Sequence, residues 1–394
     1  MNGNSSMTEP VHRPTDVEAL QEIVRTASGG LRIVGGDTKS ALGSRAPTEA
    51  TIDMTGLAGI VTYEPSELIL IARPGTALAE VEELLAAEGQ HLAFEPPHWG
   101  ATATLGGTVA CGLSGPRRFI AGALRDFVLG AQIVDGHGQC VRSGGRVVKN
   151  VTGYDVPRLL CGSFGTLGIL TEVCLKLWPR PEQELTLIIH DQVRQTALDA
   201  LLQWARFPFE ITGLAYQPDD RQRGARTLLR LEGAERAVAQ QSASVRETLG
   251  TATGSGTQVE IVEGSASAAI WCQVREQPVT SSEGSRRWRY TVPRTRASEL
   301  IDELSELGLQ QFLVDWAGGL VWATLPETAD PLSLHALATD RGGSAWRLAG
   351  GPDDANRDAF TPMDPVLERL NRTLKTSMDP HGLLNPGRML PVAG

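Results

Sequence analysis

The sequence predicts an α+β protein of two domains, and three observations carry that prediction. Strand-like and helix-like runs are mixed from the first ninety residues onward. The 394 residues exceed the ~100–200 that one domain usually holds. At Trp178-Pro179-Arg180-Pro181 the texture changes across a proline-punctuated hinge, which places a boundary near residue 180.

In the first domain, Thr15-Asp16-Val17-Glu18 has capping-box spacing, and Val17, Leu20, Ile23 and Val24 follow as an apolar stripe until Gly29-Gly30. That pattern predicts a helix with a glycine stop. Short runs bounded by turn residues predict strands at Leu31–Val34, Ala50–Met54, Gly59–Tyr63 and Leu68–Ala72. A second helix is expected over Ala77–Glu88, with Leu78, Val81, Leu84 and Leu85 on its apolar side.

Beyond the hinge, strands are expected at Leu185–His190, Ile211–Tyr216, Thr227–Leu231, Gln258–Val262, Arg286–Val292, Gln311–Trp316 and Gly319–Leu325. They alternate with helical runs near Ala197–Ala205, Ala234–Thr248, Ala266–Arg275 and Thr295–Leu307. The order suits an antiparallel sheet covered on one side by helices. A last helix over Pro365–Thr376 leads into a tail unlike the second domain. The expected division is therefore 1–180, 181–355 and a segment 356–394 that returns to the first domain.

The net charge of −10 argues against nucleic acid, whose phosphates call for basic surface. No run approaches ~18 consecutive apolar residues, and the polar start Met1-Asn2-Gly3-Asn4 lacks the order of a signal peptide, so an intracellular protein is expected. Cys111, Cys140, Cys161, Cys174 and Cys272 are odd in number and form no Cys-x-x-Cys pair, which fits reduced thiols.

Glycine is unevenly spread, with 25 of 43 in residues 1–180 and 15 of those between Gly100 and Gly168. Because they cluster rather than sit singly between strands, close approach of backbone to a ligand is the preferred explanation. Neither Gly-x-Gly-x-x-Gly after a strand nor a P-loop occurs. Instead Leu31–Val34 feeds Gly35-Gly36-Asp37-Thr38-Lys39-Ser40, either a nest of N–H groups for an anion or a plain turn. A second cluster runs from Pro96 through Gly100, Thr104, Gly106 and Gly107 to Ala110, and a third is Gly162-Ser163-Phe164-Gly165-Thr166-Leu167-Gly168-Ile169.

Taken in order, these stretches resemble the flavoprotein superfamily of vanillyl-alcohol oxidase and para-cresol methylhydroxylase, and within it the FAD-binding subunits of bacterial glycolate oxidase. The features nearest those subunits are Gly115-Pro116-Arg117-Arg118, Arg125-Asp126-Phe127-Val128-Leu129-Gly130 and Val148-Lys149-Asn150-Val151-Thr152-Gly153-Tyr154-Asp155. Trp288-Arg289, Asp315-Trp316-Ala317-Gly318 and Leu384-Asn385-Pro386-Gly387-Arg388 add to them. The resemblance implies a two-part FAD-binding domain followed by an α+β cap domain with an antiparallel sheet.

It also implies site residues. Gly35, Gly36, Asp37, Thr38 and Lys39 would bind the diphosphate through backbone amides. Thr104, Gly106 and Gly107 would line the ribityl chain and ring, with Gly112 and Gly115 close to the ring. Ile169 would meet the adenine edge, and Asn385 would reach back from the tail. Pro97, Leu105, Val109 and Gly168, in the same stretches, complete the set. Where some superfamily members carry a flavin-linking histidine this chain has Asp37, so the FAD is expected to be non-covalent.

Oxidation of a 2-hydroxy acid calls for a cation facing the carboxylate and a base for the hydroxyl proton. Arg117, Arg118 and Arg125 are the candidates for the carboxylate, the alternative being that they pair with Asp126, Asp155 or other acids. Tyr154 and Lys149 are candidates for proton handling. The histidine-rich metal motif of related D-2-hydroxy-acid dehydrogenases is missing: only His190 and His335 lie between Pro181 and Gly351, so no metal site is expected. The tryptophans within apolar runs read as core or subunit-interface packing.

The leading expectation is an FAD subunit of a glycolate oxidase complex. Its partners would be a paralogous FAD subunit and an iron–sulfur subunit, in the cytoplasm, with any contact to the inner membrane made through those partners. The alternatives are a self-sufficient FAD-dependent dehydrogenase of a hydroxy acid or sugar lactone, and a flavin-binding scaffold without its own active site.

Overall fold

A computed structural model describes residues 9–145, 154–218, 224–253, 258–276, 284–350 and 354–391. The helix Val17–Thr26 starts at Asp16, whose carboxylate accepts the Ala19 N–H at 2.8 Å, and buries Leu20 and Val24. It ends at extended Ala27, two residues ahead of the expected glycine stop. Leu20 and Val24 pack with Leu31 and Ile52 of a small parallel sheet ordered Val11–His12, Ala50–Asp53, Leu31–Val34.

Next to it stands a five-stranded antiparallel sheet: Ile60–Glu64, Ile69–Ala72, Ile169–Lys176, Val128–Val134, Cys140–Gly144. Helix Leu78–Ala87 lays Leu78, Val81 and Leu85 against Leu70, Ala72, Val173 and Leu175 of this sheet. Thr76, just ahead of that helix, does not cap it. Its hydroxyl instead accepts the Gly59 N–H at 2.9 Å and ties down the strand before it.

The second lobe is one eight-stranded antiparallel sheet, ordered Val259–Glu263, Gln183–His190, Arg226–Gly233, Ile211–Gln217, Gln311–Asp315, Leu320–Pro326, Ser285–Thr291, Ser344–Arg347. Side chains alternate between its faces. Leu187, Ile189, Leu229 and Leu231 meet helices Arg194–Trp204, Glu235–Thr253, Ala297–Glu306 and Pro331–Thr339 on one face. Ile188, Leu228, Leu313 and Trp322 point the other way, where they meet helix Gly264–Glu276 through Trp271 and Val274, and the first lobe through Leu42, Cys111, Leu113 and Phe164. Helices therefore cover both faces, which corrects the one-sided expectation. Burial on both faces also explains why strands such as Thr227–Leu231 are nearly continuous in apolar residues.

After helix Pro365–Met378 the tail runs beside strand Leu31–Val34, at the edge of the parallel sheet. The Leu31 N–H donates to the Leu383 carbonyl at 2.7 Å, and the Asn385 N–H donates to the Leu31 carbonyl at 3.0 Å. No described helix is long and apolar enough to cross a membrane.

Candidate active site

Three glycine turns converge on one groove of the first lobe. Its walls include Gly35 from the end of strand Leu31–Val34, Thr104, Gly106 and Gly107 from the start of helix Leu105–Cys111, Ser163 to Gly165 with Gly168 and Ile169, and Asn385. Thr104 caps that helix, its hydroxyl accepting the Gly107 N–H at 3.3 Å. Gly35 and Gly106 allow close packing: a Cβ on Gly35 would lie 2.2 Å from Thr104 Oγ1, and one on Gly106 2.4 Å from Pro74 Cβ. Gly107 differs. Beyond its own helix a Cβ there meets only Thr104 Oγ1, at 3.2 Å, so the missing side chain is open groove.

Asn385 ties the walls together. Its side-chain oxygen accepts the Ile33 N–H and its amide donates to the Phe164 carbonyl, both at 2.8 Å. It holds left-handed backbone, with φ of 41°, which asparagine tolerates better than most residues.

The loop after Gly35 borders the groove without lining it. Gly36 packs so tightly that a Cβ would lie 1.5 Å from the Thr102 carbonyl oxygen, while the Thr102 hydroxyl donates back to the Gly36 carbonyl at 2.8 Å. Asp37 pairs with Arg32 at 2.6 Å, and Gly100 abuts Thr38. Lys39 is buried and donates to the His98 carbonyl at 3.1 Å. Burial lowers its pKa, with Cys111 and Glu276 pulling the other way.

Five other expected residues stand back from the groove. Leu105 and Val109 pack their side chains into the first-lobe core, and Pro97 is buried nearby. Gly112 closes its helix at φ 65° against Gly162, and Gly115 abuts the Glu95 carbonyl. Their glycines serve protein-to-protein contact, a use that sequence spacing does not separate from ligand approach.

The arginine candidates divide sharply. Arg117 is buried with both ends engaged: Nε and Nη2 donate to Glu232 at 2.9 and 2.6 Å, and Nη1 lies 3.3 Å from Glu95 Oε1. It clamps the lobes and has no room for a further carboxylate, so pairing with acids is the outcome, with Glu95 and Glu232 in place of Asp126 or Asp155. Arg125 is exposed. Tyr154 is 93% exposed, which removes it from a sheltered proton path, and Lys149 lies outside the described residues.

Arg118 instead lies over the Trp316 ring, 4.2 Å from its centroid. Against the same ring, at 5.1 Å, is Arg289, which sequence reasoning quoted only as part of a family feature. Arg289 lies across from Trp322 on one neighbouring strand and Trp346 on the other, 5.9 and 4.7 Å from their rings. Such contacts are worth up to ~2 kcal/mol each when desolvated. Trp346 in turn meets Phe164 of the groove wall at 5.9 Å between centroids. Trp316 and Ala317 hold consecutive left-handed conformations, φ 53° and 56°, each costing about 1–3 kcal/mol. That turn presents the Trp316 ring to both guanidiniums, while its Nε1 donates to the Gly115 carbonyl at 2.9 Å.

Asp315 precedes that turn, 2% exposed, its Oδ1 accepting the Trp316 N–H at 2.7 Å. Burial pushes its pKa up to about 7; that N–H bond and the charges of Arg230 and Arg289 oppose the shift, and Glu95 reinforces it. An unfolded aspartate titrates near ~3.9, so the folded state holds this proton more tightly, and the resulting stability is present below pH ~4 and lost as pH rises toward 7. Asp315→Asn is expected to abolish that decline, raising stability at pH 7.5 by on the order of 3 kcal/mol. Parallel melting curves of the two proteins from pH 4 to pH 8 would contradict it.

Known proteins place this geometry. Residues 8–144 match a family model described as an FAD binding domain. Over 377 residues, covering 94% of this chain and 97% of the relative, the sequence is 40% identical to glycolate oxidase subunit GlcE of Escherichia coli. The chain belongs to the GlcE family. This GlcE-family chain is also 32% identical over 188 residues to glycolate oxidase subunit GlcD of Bacillus subtilis, covering 46% of this chain and 40% of that one. Its fold matches p-cresol methylhydroxylase with substrate bound, with TM-score 0.72 and 16% identity over 96% of this chain and 88% of that one. Family and domain make it an FAD-dependent oxidoreductase, and the open face at Gly107 is the kind of thin glycine-lined slot that a flavin needs.

Proposed function

We propose that this chain is the FAD-carrying subunit of a multi-subunit enzyme that oxidises glycolate to glyoxylate. The observation that carries the reading is the groove in which the turns at Gly35, Thr104–Gly107 and Gly165–Ile169 converge, with open space at Gly107. Backbone N–H groups of Gly35 and of the bordering loop to Lys39 would hold the diphosphate, Thr104, Gly106 and Gly107 the ribityl chain and ring, and Gly168 and Ile169 the adenine end. Asn385 shapes the wall through Ile33 and Phe164. Residues 1–180 with 356–394 form the FAD unit, and 181–355 the cap.

Conversion of glycolate to glyoxylate removes a hydrogen with its electron pair from carbon and a proton from oxygen. FAD, when bound here, would supply the acceptor for those electrons. The chain's own part is to hold the flavin, hold the carboxylate and exclude water between the lobes. The electrons then pass to partner subunits, a paralogous flavoprotein and an iron–sulfur protein, in the cytoplasm. GlcE of Escherichia coli is named a glycolate oxidase subunit, which supports an assembled enzyme.

The test is to purify the chain, release its chromophore with acid, and mix native protein with glycolate anaerobically. The expected result is one FAD per chain, freed by acid. Bleaching of the isolated chain by glycolate would make it self-sufficient, and bleaching only with partner subunits added supports the subunit reading. A colourless chain that takes up no added FAD would overturn both.

A further inference from the structure

Arg289 is only 7% exposed, yet no hydrogen bond or ion pair to its guanidinium is found among the described residues. A buried guanidinium ordinarily has carboxylate or carbonyl partners. Arg230, buried on the same sheet, and Arg117, buried on the facing first lobe, have them in full. What surrounds Arg289 is aromatic: Trp316, Trp322 and Trp346 supply three ring faces and no negative charge.

Arg118 adds a second cation against Trp316. Its side chain too has no carboxylate within ion-pair distance among the described residues. The one acid that attracts Arg289 at longer range, Asp315, has Oδ1 committed to the Trp316 N–H. Burial, and then the neighbouring Arg118 charge, push the Arg289 pKa down to about 9, so it remains a cation at neutral pH while lacking the counter-charge its burial calls for. Two like charges are thus held against one ring, at the junction of the lobes, one aromatic contact from the groove wall at Phe164.

We propose that Arg289 and Arg118 form a binding site for a small carboxylate, the acid end of a 2-hydroxy acid, within this chain. Trp316, Trp322 and Trp346 are its walls. Naming the ligand a substrate rests on the functional reading above, whereas the anion site stands on the chain's own residues. A guanidinium grips a carboxylate through two parallel N–H···O bonds, and the aromatic walls exclude the water that would screen them. The site gives this chain a means of holding hydroxy acid without a metal-binding histidine cluster.

Equilibrium dialysis of the full-length chain with labelled glycolate, with and without FAD, tests the site, and tryptophan fluorescence reports its location. The expected result is saturable binding that perturbs tryptophan emission, with uncharged glycolamide at least ~30-fold weaker. Arg289→Met keeps the stem between the rings and removes the charge. It is expected to weaken glycolate by ~30-fold or more in a chain that still folds, because no hydrogen-bond or ion-pair partner is orphaned. Arg289→Lys should recover part of the affinity. Arg118→Met should weaken binding by ~10-fold, and Arg296→Met, at an exposed pair with Glu299, should leave it unchanged.

Equal glycolate affinity in Arg289→Met, equal binding of glycolamide, or an Arg289→Met chain that fails to fold would each overturn the site. If Arg289→Met does not fold, unaltered affinity in Arg118→Met is a second, independent contradiction. A flavin-loaded chain bleached by glycolate only when partner subunits are added, with no dependence on Arg289, removes the anion site and keeps the functional reading. Arg289-dependent glycolate binding by a chain that takes up no FAD does the reverse.

Discussion

Replacing Gly107 by leucine should leave a folded chain that has lost its flavin. Gly107 sits in the first turn of helix Leu105–Cys111, where leucine has the higher helix propensity, so the helix itself is not weakened. The new side chain has nowhere to go but the groove, since Thr104 Oγ1 is the one atom outside the helix near the Cβ position. A single forced contact costs about 1–3 kcal/mol, and four added carbons place the loss of FAD affinity beyond ~100-fold. Gly36→Ala is the complementary case. Its Cβ would fall 1.5 Å from the Thr102 carbonyl, a backbone atom that cannot rotate aside, so the Gly35–Lys39 loop must shift and both flavin content and melting temperature fall. Absorbance at 450 nm per chain, read beside a melting curve, separates the two. Full flavin content in Gly107→Leu would move the cofactor out of this groove.

Arg230→Met should produce the largest loss of stability. Arg230 is 1% exposed and lies on the inner face of the large sheet. It donates to both oxygens of Glu95 at 2.8 and 2.9 Å and to the Thr212 hydroxyl at 3.0 Å, and lies over the Trp271 ring at 4.6 Å. Glu95 belongs to the first lobe, as does Arg117, which grips Glu232 on the strand of Arg230. Burial alone would push the Glu95 and Glu232 carboxyls up. The guanidiniums of Arg117 and Arg230 outweigh it and hold both below the usual carboxylate range. Removing Arg230 leaves two buried carboxylates sharing one cation, a penalty of about 3–5 kcal/mol, or about 5 °C in melting temperature. Because the folded pKa values are depressed, the clamp's stability is present above pH ~4.5 and lost as pH falls through that range. A variant melting within a degree or two of the parent at pH 7 would mean the clamp is not what joins the lobes.

The elements most legible in the sequence are those whose pattern is local. The apolar runs of the large sheet and the helices between them lie within a few residues of expectation; strand Thr227–Leu231, for example, extends to Arg226–Gly233. Helix Leu105–Cys111 was invisible because it begins with a glycine pair, poor helix formers that only the Thr104 cap and burial hold in place. At the site, the glycine clusters point to close approach, but what each glycine approaches depends on a distant partner. Gly115 meets Glu95 and Gly112 meets Gly162, whereas Gly107 meets open space. Arg289 had a signal that went unused: it alternates with Arg287 on one face of a strand whose other face carries Trp288 and Tyr290.

The order of strands and helices, the presence of glycine-rich turns and the family motifs are properties of neighbouring residues, so the chain itself determined them. Which of several arginines is neutralised and which is left without a counter-charge was decided by the tertiary structure alone. Charge compensation acts through space: Arg117 and Glu232 are 115 positions apart, and the rings around Arg289 come from the stretch holding Trp316 and Trp322 and from the later strand holding Trp346.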